Sequence, residues 1–298
     1  MSSASHLSHV ARLEQLSPLV WRVLGCNPGP MTLQGTNTYL VGTGPRRLLI
    51  DTGDANVPEY VRLLSHVLNE QRATISAIVC THWHVDHVGG VPDVLKLMPA
   101  SDSNLKVHKI RRQSAADDVR HAPHGYEFIS DGHSFDVPGC SNASKLRVLH
   151  TPGHTDDHMA LYLPAEDAVF SGDCVLGEGT AVFEHLYTYM HSLETLLALT
   201  PSVIYPGHGP VVCDCTQKLR EYIAHRDQRE RQILQLLRSA NAPTSVASIV
   251  AGVYGPLNFT LQMGAANNVG KHLEKLRKEG KVCCVNGKMW VMAEKSAL

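Results

Sequence analysis

The segment Thr81-His82-Trp83-His84-Val85-Asp86-His87 gathers four potential metal ligands within six residues, directly after the apolar run Ile75–Cys80. Alternate side chains of an extended backbone share a side, so His82 and His84 can point the same way. Asp86 and His87 then fall on the turn that follows. Imidazole nitrogens and carboxylate oxygens with no thiolate suit Zn2+, Mn2+ or Fe2+ in a reactive rather than a purely structural site. Three more apolar runs end in comparable residues. Leu146–Leu149 leads into His150-Thr151-Pro152-Gly153-His154, Ala168–Phe170 into Ser171-Gly172-Asp173, and Val203–Tyr205 into Pro206-Gly207-His208. Four strand ends thus deliver His82, His84, Asp86, His87, His154, Asp173 and His208. That set is too large for one tetrahedral ion and suits two ions roughly 3.5–4 Å apart that share a carboxylate and a water. An imidazole nitrogen has a single lone pair to give, so the shared ligand is a carboxylate, and Asp173 is the natural choice.

The elements that must position these residues can be read from composition and periodicity. With 298 residues the chain is long enough for two domains. Its 43% hydrophobic and 18% charged residues supply a sizeable core and exclude wholesale disorder. Apolar stretches fall far short of the roughly 20 residues of a membrane span, so no membrane partner is expected. The N-terminus lacks the apolar centre of a signal peptide. Its serines, with Arg12 and Arg22 against Glu14, faintly resemble an organelle transit peptide, a composition that flexible N-termini share. Eight cysteines without a C-x-x-C spacing fit a reducing compartment better than a disulfide framework.

Strand signals continue before the metal motifs, at Leu19–Leu24, Thr38–Val41 and Leu48–Ile50, and between them at Met159–Leu163. Helices are expected at Pro58–Asn69 and Ser192–Leu199. Many strands with interspersed helices predict a layered α/β or α+β sandwich over residues 1–215. From about Thr216 the period turns helical. A long helix, Gln217–Arg238, has apolar ends and a polar centre, His225–Arg231, which suits a helix bridging two domains. Two short amphipathic helices and a hairpin turning at Asn286-Gly287 follow, so residues 216–298 read as a linker helix plus a winged-helix-like domain. The net charge of −1 conceals a split. Residues 1–215 hold 14 Lys and Arg against 22 Asp and Glu, whereas residues 216–298 hold 13 against 6. An acidic body, with histidine overused at 18 residues in the whole chain, carries a basic tail.

The metal motifs resemble those of the metallo-β-lactamase superfamily over about residues 20–210, which implies an αββα sandwich with its metals at one edge. The resemblance assigns His82, His84 and His154 to a first metal, Asp86, His87 and His208 to a second, and Asp173 to the bridge. Asp51 in Leu49-Ile50-Asp51-Thr52-Gly53 matches a residue that orients the ligands, although an ordinary strand-end turn residue would look the same. Asp173 argues against the true zinc lactamases, which lack it, and the full second ligand set argues against mononuclear iron members. Cys174 is either a thiolate ligand or an inert buried thiol.

Fold alone does not settle substrate. Longer strings, running from Gly25 to Leu40, from Gly172 to Gly179 and from Tyr205 to Pro210, resemble an RNA-cleaving, glyoxalase II-like branch of the superfamily. That implies an endoribonuclease acting on single-stranded RNA in the mitochondrial matrix, with the cytosol as alternative. Hydroxyacylglutathione hydrolases, which cleave thioesters, share the seven ligands and stay open. The implied cofactor is two Zn2+ per chain, with Mn2+ or Fe2+ as alternatives. The implied reaction is phosphodiester hydrolysis by a water activated between the metals, with Asp86 as the catalytic residue that orients it. The basic tail supplies candidate phosphate contacts at Arg226 and Arg229, which could instead pair with acidic groups between domains. Tyr189 and Tyr187 are candidates for a cleft wall or base stacking, or else core. His158 and His185 could donate a proton to a leaving oxygen or simply pack behind the ligands. Lys271, Lys275, Arg277 and Lys278 form a basic face that could be solvated, contact RNA or support a homo-oligomer through the C-terminal domain.

Overall fold

A computed structural model describes residues 7–99, 105–140 and 144–293. Its first sheet has seven strands in chain order: β1 (Leu13–Gln15), β2 (Val20–Leu24), β3 (Asn37–Val41), β4 (Arg46–Ile50), β5 (Thr74–Val79), β6 (Val107–Ile110) and β7 (Glu127–Ile129). A second sheet has the order β12-β11-β10-β9-β8, from β8 (Ser134–Asp136), β9 (Lys145–His150), β10 (Met159–Leu163), β11 (Ala168–Gly172) and β12 (Val203–Pro206). The two sheets face each other across a core that includes Tyr39, Leu48, Ile50, Val79, Leu146, Val148, Leu161 and Phe170. Helices α1 (Pro58–Glu70), α2 (Val85–Val88) and α3 (Val91–Leu97) follow β4 and β5; α1 and α3 cover the outer face of the first sheet. Helices α4 (Leu186–Leu199) and α5 (Cys215–Ser239) cover the second. This is an αββα sandwich. Strands β10 and β11 read as nearly continuous apolar runs because both faces are buried. In β4, Leu48 and Ile50 enter the inter-sheet core while Leu49 packs under α1.

Strands β2 to β5 and β9 to β12 fall where hydrophobic runs predict them, and the shortest strands do not. Strands β1, β6, β7 and β8 are short, and β1, β7 and β8 keep exposed polar residues, so alternation over three or four residues gives no signal. Helix α4 begins at Leu186, six residues earlier than the expected Ser192, because Tyr187, Thr188 and Tyr189 resemble strand residues. Arg12 and Arg22, the source of the transit-like composition, are built into the body: Arg12 pairs with Glu59, and Arg22, in β2, pairs with Glu14 and is 3% exposed.

Beyond α5, helices α6 (Val246–Tyr254) and α7 (Phe259–Lys278) pack with a three-stranded sheet, β13 (Thr244–Ser245), β15 (Met289–Met292) and β14 (Val282–Val285) in that order. Asn286 and Gly287 both adopt positive φ, as a two-residue hairpin turn requires. This is a winged helix with a core of its own around Val269, Leu273, Leu276 and Trp290. Helix α5 serves both units. Leu219 and Tyr222 pack in the body, and Ile233 and Leu237 pack in the winged helix. Its polar centre is solvated on one face, at His225, Asp227, Gln228 and Arg231, and buried on the other, at Arg226 and Glu230. Glu230 is 6% exposed and meets Lys275 Nζ of α7 at 2.7 Å, with His272 beside it at 3.7 Å. Breaking a buried pair strands a charge. Glu230→Ala is therefore expected to lower unfolding stability by about 3 kcal/mol, and Glu230→Leu with Lys275→Met by much less. Chemical denaturation of the two variants checks this through their midpoints.

Candidate metal centre

Strands β4, β5, β11 and β12 end along one edge of the sandwich, because β4 pairs parallel with β5 and β11 with β12. The turn after each end supplies polar residues. Asp51 follows β4 in a left-handed conformation (φ 58°), His82 to His87 follow β5, Asp173 follows β11 and His208 follows β12. His154 comes from the turn between the antiparallel β9 and β10. Two of these turns demand glycine. A Cβ on Gly153 would lie 2.4 Å from Tyr189 backbone and side-chain atoms, and one on Gly207 would lie 2.4 Å from Asp173 Oδ1. Glycine is what lets the ligand-bearing loops approach this closely.

The donor atoms fall into two groups, His82, His84, His154 and Asp173 in one and Asp86, His87 and His208 in the other, with atoms of each group within 4.8 Å of one another. In the first, His84 Nδ1 lies 2.9 Å from His82 Nε2 and 3.0 Å from His154 Nε2. In the second, His87 Nε2 and His208 Nε2 are 3.3 Å apart, and Asp86 Oδ2 is 3.3 and 3.2 Å from them. Asp173 reaches both groups: Oδ1 is 3.4 Å from His87 Nε2 and from His208 Nε2, and Oδ2 is 3.6 Å from His154 Nε2.

The opposite side of most ligands is already engaged. Asp51 Oδ2 accepts from His87 Nδ1 at 2.8 Å and from Thr81 Oγ1 at 2.9 Å, and Oδ1 accepts from Thr81 N at 2.7 Å. His154 Nδ1 donates to the Val182 carbonyl at 2.8 Å. Thr36 Oγ1 donates to Asp86 Oδ2 at 3.1 Å. With Nδ1–H committed outward, Nε2 of His87 and His154 presents a lone pair inward, the tautomer a metal needs. Asp173 Oδ1 is buried without a hydrogen-bond partner. A buried carboxylate oxygen without a hydrogen-bond partner, at the centre of a nitrogen and oxygen donor set, is what cation binding would satisfy, and the set fits a pair of divalent ions.

Charge within the site divides along the same line. Burial, reinforced by His87, His154 and His84, holds His82 well below the usual histidine range. Burial and His154 lower His84 to about 4. Both are thus neutral donors near pH 7. Burial opposes charge on His208 as well, but Asp173 and Asp86 overcome it and raise this residue to about 9. Burial is likewise overridden at Asp86, which His87 and His208 keep ionised.

Sequence comparison agrees with this geometry. Residues 31–102 and 144–208 match the metallo-beta-lactamase superfamily, and residues 245–290 match the beta-lactamase associated winged helix domain. A Drosophila melanogaster protein named beta-lactamase-like protein 2 homolog is 45% identical over 92% of either chain. The chain belongs to the metallo-β-lactamase superfamily, whose members are metal-dependent hydrolases. An atrochrysone carboxyl ACP thioesterase of Aspergillus novofumigatus is 42% identical over 85% of this chain and 76% of its own. The crystal structure of a beta-lactamase domain protein from Burkholderia ambifaria shares the fold, with a TM-score of 0.78, 19% identity, and coverage of 97% of this chain and 96% of that one.

Around the superfamily site, several expected roles need correction. Tyr189 is not available to substrate. It is wholly buried, donates to the Cys174 carbonyl at 2.7 Å and stacks on Phe183. Arg226 is 3% exposed and donates to the Ala181 carbonyl at 3.2 Å and to the Tyr222 carbonyl at 3.3 Å, so it braces a cleft wall from behind. Arg229 is partly exposed and stacks on Tyr254 at 3.9 Å. His158 cannot serve as a proton donor to substrate: it is fully buried, its Nε2 accepts from Asp173 N at 3.1 Å, and its Nδ1 faces Thr151. It holds the turn that carries Asp173. His185 and Tyr187 line a different cavity, beside Lys278. Lys275 is bound to Glu230 and Glu279 rather than free for RNA or a second subunit, and Arg277 pairs with Glu274. Burial pushes the Cys174 thiol up to about 12, which makes it inert. The sequence reading missed Thr36, Thr81 and the Val182 carbonyl. The first two stand beside quoted motifs, but a backbone carbonyl leaves no mark in residue type.

Two outcomes follow. Removing the Asp51 contact, as Asp51→Ala, is expected to weaken binding of the metal at His87 about 10–100-fold, with the fold retained; metal-competition titration measures it. Binding at the Asp86, His87 and His208 group must also displace protons from His208 and from His87, which Asp86, Asp173 and Asp51 likewise hold above the usual histidine range against the effect of burial. Below pH 9 its affinity should therefore fall by about tenfold per pH unit for each proton released. Calorimetry in buffers of different ionisation enthalpy counts those protons.

Proposed function

We propose that this protein is a metal-dependent endoribonuclease that hydrolyses phosphodiester bonds in single-stranded RNA. The observation that carries the reading is the complete seven-ligand set, five of whose members line a cleft of about 290 Å3 that adjoins a cationic groove between the two domains. His82, His84 and His154 would hold one cation and Asp86, His87 and His208 another, with Asp173 between them. A cation pair there supplies Lewis acidity toward a phosphate oxygen and toward water.

The chain's own residues supply the rest. Met31, Leu33, Leu176 and Val182 wall the cleft and exclude bulk water, and its size suits a strand rather than a duplex. Asp86 is the most accessible carboxylate of the site, with 21% of its side chain exposed against 12% for Asp173. Being ionised, it can accept a hydrogen from a water at the cleft floor and so orient it toward phosphorus. No side chain needs to act as a covalent nucleophile. Zinc is the proposed metal, with manganese and iron as alternatives, and the mitochondrial matrix is the proposed location, with the cytosol as alternative.

The thioesterase name of the Aspergillus relative favours a second reading, hydrolysis of a thioester or lactone at the same cleft. Purified protein incubated with labelled single-stranded RNA, single-stranded DNA and S-lactoylglutathione separates the two. RNA cleavage should be lost with chelator and restored by Zn2+ or Mn2+. His87→Ala should lower it by about a thousandfold or more while the melting curve stays cooperative. Turnover of the thioester alone, or undiminished RNA cleavage by the variant, sinks the assignment.

A further inference from the structure

A second cavity, of about 420 Å3, lies between the body and the winged helix. Thr180, Ala181 and Val182 line both it and the metal cleft, so the two are contiguous across one strip of chain. Its other walls are α5, through His225 and Arg229, and α7, through Asn267, Asn268 and Lys271. No carboxylate lines it among the described residues. The acidic body contributes only residues 180–183 to it, and its charged lining comes from the basic C-terminal region. The Arg229 guanidinium lies over the Tyr254 ring, 3.9 Å from its centroid, and donates to Gln232 at 2.9 Å, so its position is set without an ion pair among the described residues. Lys271 Nζ donates to the Phe183 carbonyl, which fixes the ammonium at the groove wall.

The geometry points to a phosphate-backbone subsite in this groove: Arg229 and Lys271 bind phosphates of a single RNA strand, with the Asn267 and Asn268 amides and His225 adding donors, while another phosphate of that strand lies at the metals. Arginine and lysine are the side chains that hold phosphate oxygens, and this groove offers more donors than a lone phosphate takes. Spread across the cavity, they suit a repeating anion better than the single phosphate of an acyl-carrier arm. The inference deepens the ribonuclease reading and depends on it only for the identity of the strand.

Gly264 provides a clean probe. It lies within α7 and lines the groove, and a Cβ there would meet nothing within 4 Å. Gly264→Glu therefore places a carboxylate in the groove without a clash, and Gly264→Ala controls for the backbone. The measurement is fluorescence anisotropy of a cleavage-resistant phosphorothioate single-stranded RNA on the full-length, metal-loaded protein, repeated over a salt series. Arg229→Gln with Lys271→Met should weaken binding at least tenfold and reduce the salt slope by about 1.4, the value for two phosphate contacts on a single strand. Gly264→Glu should weaken binding similarly without lowering the melting temperature, while Gly264→Ala binds as the parent does. Unchanged affinity and slope in both the double variant and Gly264→Glu would overturn the subsite. So would a raised KM for an acyl-coenzyme A thioester in the double variant with RNA affinity intact, since the groove would then hold a carrier arm. RNA that binds through the groove but is never cleaved when unmodified RNA is supplied would instead overturn the ribonuclease reading and leave the subsite standing.

Discussion

Imidazole and carboxylate lone pairs that converge in a buried space repel one another and have lost their water, so they must be held from behind. Here the hold is a set of short hydrogen bonds on the far side of the ligands. Asp51 grips His87 and Thr81, Thr81 Oγ1 in turn meets His82 Nδ1, and the Val182 carbonyl grips His154. Each bond fixes a side chain's direction, and for His87 and His154 it also fixes the tautomer that leaves Nε2 free. Asp51 itself sits in a left-handed turn that a side chain adopts only under constraint, between strand β4 and the covering helices. The sandwich serves this site by making strand ends coincide.

The winged helix is tied to the same constraint. Three consecutive carbonyls, those of Ala181, Val182 and Phe183, accept from Arg226 of α5, His154 of the metal site and Lys271 of α7. The strip that orients a ligand is therefore held from both domains. A cleft wall of this kind explains why two charged residues in the centre of α5 are buried: Glu230 meets Lys275 of α7, and Arg226 reaches the Ala181 carbonyl across the domain boundary. It also explains why the basic C-terminal domain borders the metal cleft instead of trailing from it, so that net charge summed over the chain says little about what the cleft attracts.

Much of the fold and of the ligand set was legible in residue order. Strands β10 and β11 are nearly continuous apolar runs because both faces are covered, β2 to β5, β9 and β12 carry shorter apolar stretches, and Asn286-Gly287 favours a tight turn. His82, His84, Asp86 and His87 are adjacent, so their chemistry shows before any folding. Edge strands such as β7 and β8 were invisible because three residues with at most one buried side chain make no period. Helix α4 was shortened because Tyr187, Thr188 and Tyr189 carry a strand-like preference that packing of Leu186, Tyr189, Met190 and Leu193 overrides.

By itself, then, the sequence determined which atoms could bind metal and that strand ends would present them, since both follow from residue type and local periodicity. Only the tertiary structure decided which polar residues are spent on holding the site and which face a substrate. Arg226 and Arg229 lie three apart on one helix, yet the first is buried against carbonyls and the second stays at a groove. Tyr189 and His158 carry reactive groups and are sealed in the core. Burial and partner choice depend on what other segments bring to the same place, and long-range contact is the one quantity that local order does not encode.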